Sequence, residues 1–403
     1  MIRSVRWPNI PPNSMAARVL LAFLGTAGVL YVNIMPALVD GLRQGLGFSN
    51  KQAGLVGSFN LYGYACGGLF IAFFVRRIPW RSTARFLLVG LVCVDLLCML
   101  FHSPSALMGI RFVDGAIGGI LSGLAMSIMA RTTAPDRSFG ALVLVQALAA
   151  GIGIMSLPRL VPKFGVEVVF GALILFSLTT LFMLPFLPDY AVPATEESAH
   201  GAPPQNMNRK LFLLALFSVL FLEIAYMGLF SFIIGLGTHH GLSLAFTSTT
   251  LGICSWCATL GPLLVIVLST RYGIFKPIVA GMLVGLISIY ALNYSEVKWI
   301  WMAANVGLDV TWLFGISHLL GICSRFDETG QAAVWGGFAA ATGLASGPLL
   351  GSFIVGAGNY TELIALAVVF LGCALFFVAA PAWALDHREA AGVPASEGEQ
   401  GVH

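Results

Sequence analysis

Residues 211–236 read LFLLALFSVLFLEIAYMGLFSFIIGL, twenty-six positions with a single charged side chain, Glu223. A helix of that length and polarity is long enough to cross the roughly 30 Å hydrocarbon core of a bilayer. Eleven further apolar stretches repeat the pattern, so spans are expected at 18–38, 52–75, 86–101, 104–129, 139–158, 166–187, 211–236, 246–268, 277–293, 299–322, 332–356 and 362–385. None shows the alternation of a strand, and in lipid only helices or closed barrels satisfy the backbone polar groups. The fold class expected is therefore an all-α membrane protein with twelve transmembrane helices. Composition agrees: of 403 residues, 58% are hydrophobic and 10% charged, with a mean hydropathy of +0.89. Soluble domains carry about 25% charged residues, which excludes a water-facing globule.

Between the sixth and seventh stretches runs a polar segment rich in Pro, Ala, Glu and Ser. It reads as a flexible linker, residues 188–210, joining a six-helix half at 18–187 to a second at 211–385. Residues 1–17 and 386–403 form short polar ends. The first stretch lacks a small-residue cleavage site and is expected to be retained as a helix. Placing both termini in the cytoplasm puts fifteen Lys and Arg on the inner side and five on the outer, the bias that sets membrane orientation. The net charge of +3 is small and its basic residues sit in clusters between the apolar runs. That is membrane topology and not nucleic-acid binding. Cys254 and Cys257 have a CxxC spacing, but in an apolar helix with no second pair they read as small buried residues.

The halves repeat. At an offset of 195, Tyr31 matches Tyr226, Gly57 matches Gly252, Arg76 matches Arg271 and Trp80 faces Phe275. At 192, Gly115 matches Gly307, Gly123 matches Gly315 and Gly151 matches Gly343. Two parallel repeats about an axis along the membrane normal are a transporter plan.

Gly67-Gly68 followed by the basic loop RRIPWR (76–81), and RFVDGAIGG (111–119) with its R-x-x-x-G-x-x-G spacing, resemble the major facilitator superfamily. The resemblance covers residues 15–385. It implies two pseudo-symmetric six-helix bundles, alternating access and a central site near the midplane. GLASGPLLG (343–351) is similar to the family's glycine-proline motif, although in the family that motif marks helix five, where this chain has GIGIMSLP (151–158). That departure points away from an exporter. A second departure lies before the basic loop, where Phe73 and Phe74 stand in place of the family's acidic residue.

Away from the ends of the twelve stretches only five charges occur: Asp95, Arg111, Asp114, Glu223 and Asp309. A charge in hydrocarbon costs at least ~2.5–3.5 kcal/mol, so each calls for a partner or a purpose. Arg111 lies about 10 Å deep from the outer side, with Asp114 three residues on along the same face. The two read either as a self-neutralised pair or as a substrate anchor and coupling carboxylate, a role the resemblance favours. Glu223 lies about 18 Å along helix seven, with Tyr226 and Phe230 on its face. Asp309 repeats this in helix ten, sharing a face with Asn305 and Trp312. Carboxylates in such settings are suited to take a proton from one side and release it to the other. Asp95, in a helix that is peripheral in the family, reads as structural, paired with Ser or backbone groups. Tyr31, Trp256 and Trp312 are candidate ring surfaces for a solute. Asn33 and Asn60 are candidate hydrogen-bond donors to solute or to partner helices. Arg76, Arg77, Arg81 and Arg271 are expected to cap helix ends and latch the halves on the cytoplasmic side.

These residues point to a secondary active transporter of a small organic solute, expected to be an organic anion held by an uncompensated Arg111 and taken up by proton symport. Proton coupling falls to Glu223, Asp309 and Asp114. The alternative is proton-antiport efflux of amphipathic or cationic compounds. No cofactor is expected, and no GxxxxGK[ST] loop offers ATP as the energy source. No nucleophile–base pair suggests an enzyme. The protein is expected to act as a monomer in the bilayer of a bacterial inner membrane.

Overall fold

The computed structural model describes residues 10–12, 14–75, 77–188, 190, 209–326, 331–356 and 358–390. Its regular elements are helices, as the apolar runs require. The first span is made of three pieces, α1 (Met15–Ala27), α2 (Leu30–Asn33) and α3 (Met35–Leu46). The next five are α4 (Asn50–Phe74), α5 (Trp80–Leu100), α6 (Pro104–Ala130), α7 (Pro135–Phe164) and α8 (Glu167–Met183). After the linker come α9 (Arg209–His239), then α10 (Leu244–Cys257) with α11 (Leu260–Tyr272) as one interrupted span. The chain continues through α12 (Phe275–Ala291), α13 (Lys298–Ser324), α14 (Gln331–Val355) and α15 (Tyr360–Ala390). Among the described residues eleven helices are long and apolar enough to cross a membrane, and the shorter Met15–Ala27 opens the remaining span. The twelve spans expected from the sequence are therefore present.

Two expected spans differ from continuous helices. The first breaks at Gly28–Val29, where Val29 has φ −122° and ψ 0°. There the backbone meets α6: a Cβ on Gly28 would run into the carbonyl oxygen of Gly118. The eighth breaks at Ala258–Thr259. A second break in the first span, at Ile34, precedes Pro36, and the break at Ala258–Thr259 precedes Pro262; each proline lacks the N–H that would bond the carbonyl four residues back. Helix starts follow local chemistry: Ser49 and Gln52 form a reciprocal capping box at α4, and Ser14 and Ser103 cap α1 and α6. Gly47, with φ +68°, ends α3 in the left-handed conformation only glycine adopts freely.

Two compact units emerge. The first comprises Met1–Pro193, Phe230–Trp256 and Pro348–Asn359. Its tightest seam joins α4 to α6. A Cβ on Gly63 or Gly67 would collide with the carbonyls of Phe112 and Ala116, and one on Gly115 or Gly119 with those of Asn60 and Tyr64. Four glycines thus let two backbones touch, the small-residue packing that replaces the hydrophobic effect in lipid. Leu21, Leu24, Leu88, Leu121 and Ile128 fill the core where α1, α5 and α6 meet. At the start of α10, Arg159 of α7 donates to the Ala245 carbonyl at 2.6 Å, to Ser248 Oγ at 3.2 Å and to Thr249 Oγ1.

The second unit comprises Ala194–Leu229, Cys257–Gly347 and Tyr360–His403. Phe221 stacks on Phe370 and Phe377, each at 5.5 Å, tying α9 to α15. Asp386, near the end of α15, accepts from the backbone N–H of Ile274 at 2.7 Å and of Phe275 at 2.9 Å. It supplies the cap that the start of α12 lacks in its own sequence. Gly343 and Gly347 of α14 lie against α9 beside Glu223 and Gly228, so this glycine ladder is a packing device.

Candidate functional site

The charges expected to carry chemistry gather in two places, one in each compact unit. In the first, the R-x-x-x-G-x-x-G spacing of α6 sets the geometry. Gly115 presses on α4 at Asn60, and Gly118 presses on the break in the first span. Arg111, one turn earlier, is thereby held against Tyr31 of α2, whose ring lies 5.4 Å from the guanidinium. Phe170 of α8 covers the group at 5.2 Å.

Arg111 is fully buried, and Asp95 is 2% exposed. The guanidinium donates to Asp95 Oδ1 at 2.6 Å, to Asp114 Oδ2 at 3.2 Å and to Cys98 Sγ at 3.0 and 2.8 Å. This corrects two expectations. Arg111 is not an uncompensated cation facing a cavity; it is matched by two carboxylates and closed over by rings. Asp95 does not pair with Ser or backbone groups, because α5 packs on α6 and turns it toward Arg111. Asn60 joins the cluster, donating to the Arg111 carbonyl at 3.0 Å and to Asp114 Oδ2 at 2.9 Å. Low dielectric strengthens these charge-assisted bonds. The site is a rigid triad with one cation against two carboxylates.

The second place lies on facing surfaces of α9 and α13. Glu223, 3% exposed, accepts a hydrogen bond of 3.0 Å from Trp312 Nε1. Trp312 is half-buried and lies parallel to Tyr226, ring centroids 5.9 Å apart with planes 2° from coplanar. Thr311 Oγ1 donates to the Gly307 carbonyl at 2.6 Å, so the 2.8 Å bond it shares with Tyr226 runs from the tyrosine hydroxyl. Gly285 of α12 leaves room for that hydroxyl. Asp309, 6% exposed, also lies within electrostatic reach of Tyr226. Among the described residues neither Glu223 nor Asp309 has a salt-bridge partner. Two buried carboxylates therefore border one aromatic pair.

The other expected residues are dispersed. Asn305 turns its amide onto its own helix, donating to the Trp301 carbonyl at 2.8 Å. Asn33 is half-buried at the end of α2. Phe230, one turn beyond Tyr226 on α9, and Trp256 are assigned to the first compact unit. Trp256 lies against Gly151 of α7. Among the basic residues, Arg81 donates to the Leu187 carbonyl beyond α8 and covers Trp80. Arg77 and Arg271 are exposed, and Arg76 lies outside the described residues.

A sequence model of the Major Facilitator Superfamily matches residues 19–324. The chain belongs to the major facilitator superfamily. No curated protein matches it by sequence. Among solved structures, the nucleoside transporter NupG superposes with a TM-score of 0.71 at 13% identity, covering 91% of this chain and 98% of that one. A bacterial homolog of the human lysosomal transporter Spinster, inward-facing and unoccupied, gives 0.65 at 16% identity, covering 92% and 96%. At such identities the likeness establishes the superfamily fold and nothing finer. This superfamily member is accordingly a multi-pass membrane transporter, and its family and fold are those of transporters rather than enzymes.

Proposed function

We propose that the chain moves a small organic solute by proton symport, with Glu223 and Asp309 exchanging protons and accepting hydrogen bonds from the solute. One observation supports this above others: the two carboxylates border the Tyr226–Trp312 stack with no cation facing them among the described residues. An organic anion, the class first expected, would need a free guanidinium, and Arg111 is occupied by Asp95 and Asp114. The surface suits instead an uncharged or cationic solute that offers a flat ring to Trp312 and hydrogen-bond donors to the carboxylates. Nucleosides have that chemistry, in keeping with the fold shared with NupG. Asp114 belongs, on this reading, to the triad that holds Arg111. The basic residues Arg76, Arg77, Arg81 and Arg271 remain the proposed cytoplasmic gate. The halves 18–187 and 211–385, joined by 188–210, remain the proposed moving bodies. The working protein is a monomer in a bacterial inner membrane with both termini cytoplasmic, as the basic residues indicate.

A second reading is proton antiport of amphipathic cations, favoured by the same excess of carboxylates, since a proton and a cationic cargo would compete for them. Purified protein in liposomes separates the two. Uptake of radiolabelled adenosine or uridine that rises with an inward proton gradient and is lost in Glu223→Gln supports symport. Uptake indifferent to the gradient, with release of a preloaded organic cation driven by it, supports antiport.

A further inference from the structure

We propose that the first compact unit holds a binding site for a single sodium ion beside the Asp95–Arg111–Asp114 triad. A cavity of about 10 Å³, the space one water or an ion of similar size needs, is walled by Tyr31, Asn60, Asp95, Asp114 and Ser177, with Gly28 at its edge. Two of these walls carry oxygen atoms with nothing to bond to. Tyr31 Oη and Asp114 Oδ1 are buried and unpartnered among the described residues, each on a residue only 5% exposed. Buried polar atoms are satisfied in nearly all proteins, so an orphan pair on two residues that line one small void implies an occupant.

Taken singly, three occupants fit the volume or the charge, and one fits both. A water molecule would satisfy both oxygens but leave two carboxylates against one guanidinium, a net negative charge in the bilayer interior, which is costly. A proton on either aspartate would remove that charge but needs a water beside it to fill the void. A sodium ion fills the void, takes both free oxygens as ligands and makes the cluster neutral. Donor chemistry points the same way. The walls offer carboxylate, amide, phenol and hydroxyl oxygens, which suit hard cations. The one soft atom nearby, Cys98 Sγ, is engaged by Arg111 at 3.0 and 2.8 Å. Two carboxylates with a guanidinium between them suit a monovalent ion, and among the described residues no trio of His, Cys, Asp or Glu gathers to hold a heavier metal. The break in the first span brings Ala27 and Gly28 to the cavity, and interrupted helices are where transporters expose backbone carbonyls to cations.

The site is independent of Glu223 and Asp309, which lie in the other unit, so it stands or falls apart from the proposed symport. The test is equilibrium binding of radioactive sodium to the purified full-length protein, with choline as the balancing cation. The expected result is saturable binding of one ion per chain. Tyr31→Phe should weaken it roughly tenfold, the usual cost of disturbing a metal site. Asp114→Asn should abolish it, and Glu223→Gln should retain it. Tyr31→Phe keeps the hydrophobic ring and decides the matter if Asp114→Asn does not fold. No saturable binding to folded protein, binding unaltered in Tyr31→Phe, or binding lost in Glu223→Gln would each overturn the proposal.

Discussion

Arg111 owes its place to neighbours from five helices, and taking it away exposes what each contributes. Removing one member of a buried ion pair strands its partner, at a cost of about 3–5 kcal/mol. Arg111→Leu should therefore lower the melting temperature of the purified protein sharply, and adding Asp95→Asn should recover part of the loss. If the single variant melts like the parent, the triad does not hold the fold. The pairing of Arg111 with Asp114 was readable from three-residue spacing on a helix. Its closer partner, Asp95, was not, because that contact depends on which face of α5 turns toward α6. The same limit hid the bond from Trp312 to Glu223, two residues on separate helices 89 positions apart. Each residue could be flagged as buried and costly, but the choice of partner belongs to packing.

At the scale of helices, the α4–α6 seam carries the sharpest expectation. A side chain at Gly115 would meet the Asn60 backbone, so Gly115→Leu must push the helices apart and loosen Tyr31, Asn60 and Arg111 together. Overpacking of this kind costs about 1–3 kcal/mol or more. Gly109, on the same helix, faces open space, and Gly109→Ala should leave thermal stability unchanged or slightly higher. Equal behaviour of the two variants would contradict the seam. The glycines of 111–119 were visible in the sequence as a motif, and their packing role follows directly from the absence of a Cβ. The helix break at Gly28–Val29 was hidden. It has no proline, and it lies where α6 approaches at Gly118, 90 positions away in the chain, whereas Pro262 marks the break at Ala258–Thr259 in the sequence itself.

For the whole molecule, the count of twelve spans was legible because a bilayer measures helices by length, a property the chain displays without knowledge of contacts. What joins distant segments was not legible. Arg159 counted only toward orientation, yet it makes three hydrogen bonds to the start of α10. Arg159→Ala should free that segment. In a background cleared of native cysteines, Thr247→Cys should then react several-fold faster with a membrane-impermeant thiol reagent; unchanged reactivity would show that other contacts hold it. The cap that Asp386 places on α12 has a further consequence, one of timing. Its acceptor oxygens are made 111 to 112 residues after the amides they serve. At common synthesis rates of about 5–20 residues per second, the ninth span waits on the order of ten seconds with its first amides uncapped. Until the last span has left the ribosome and entered the membrane, the second half of the protein cannot close on itself, so an interrupted chain would carry an unfinished helix end for quality-control proteases to find.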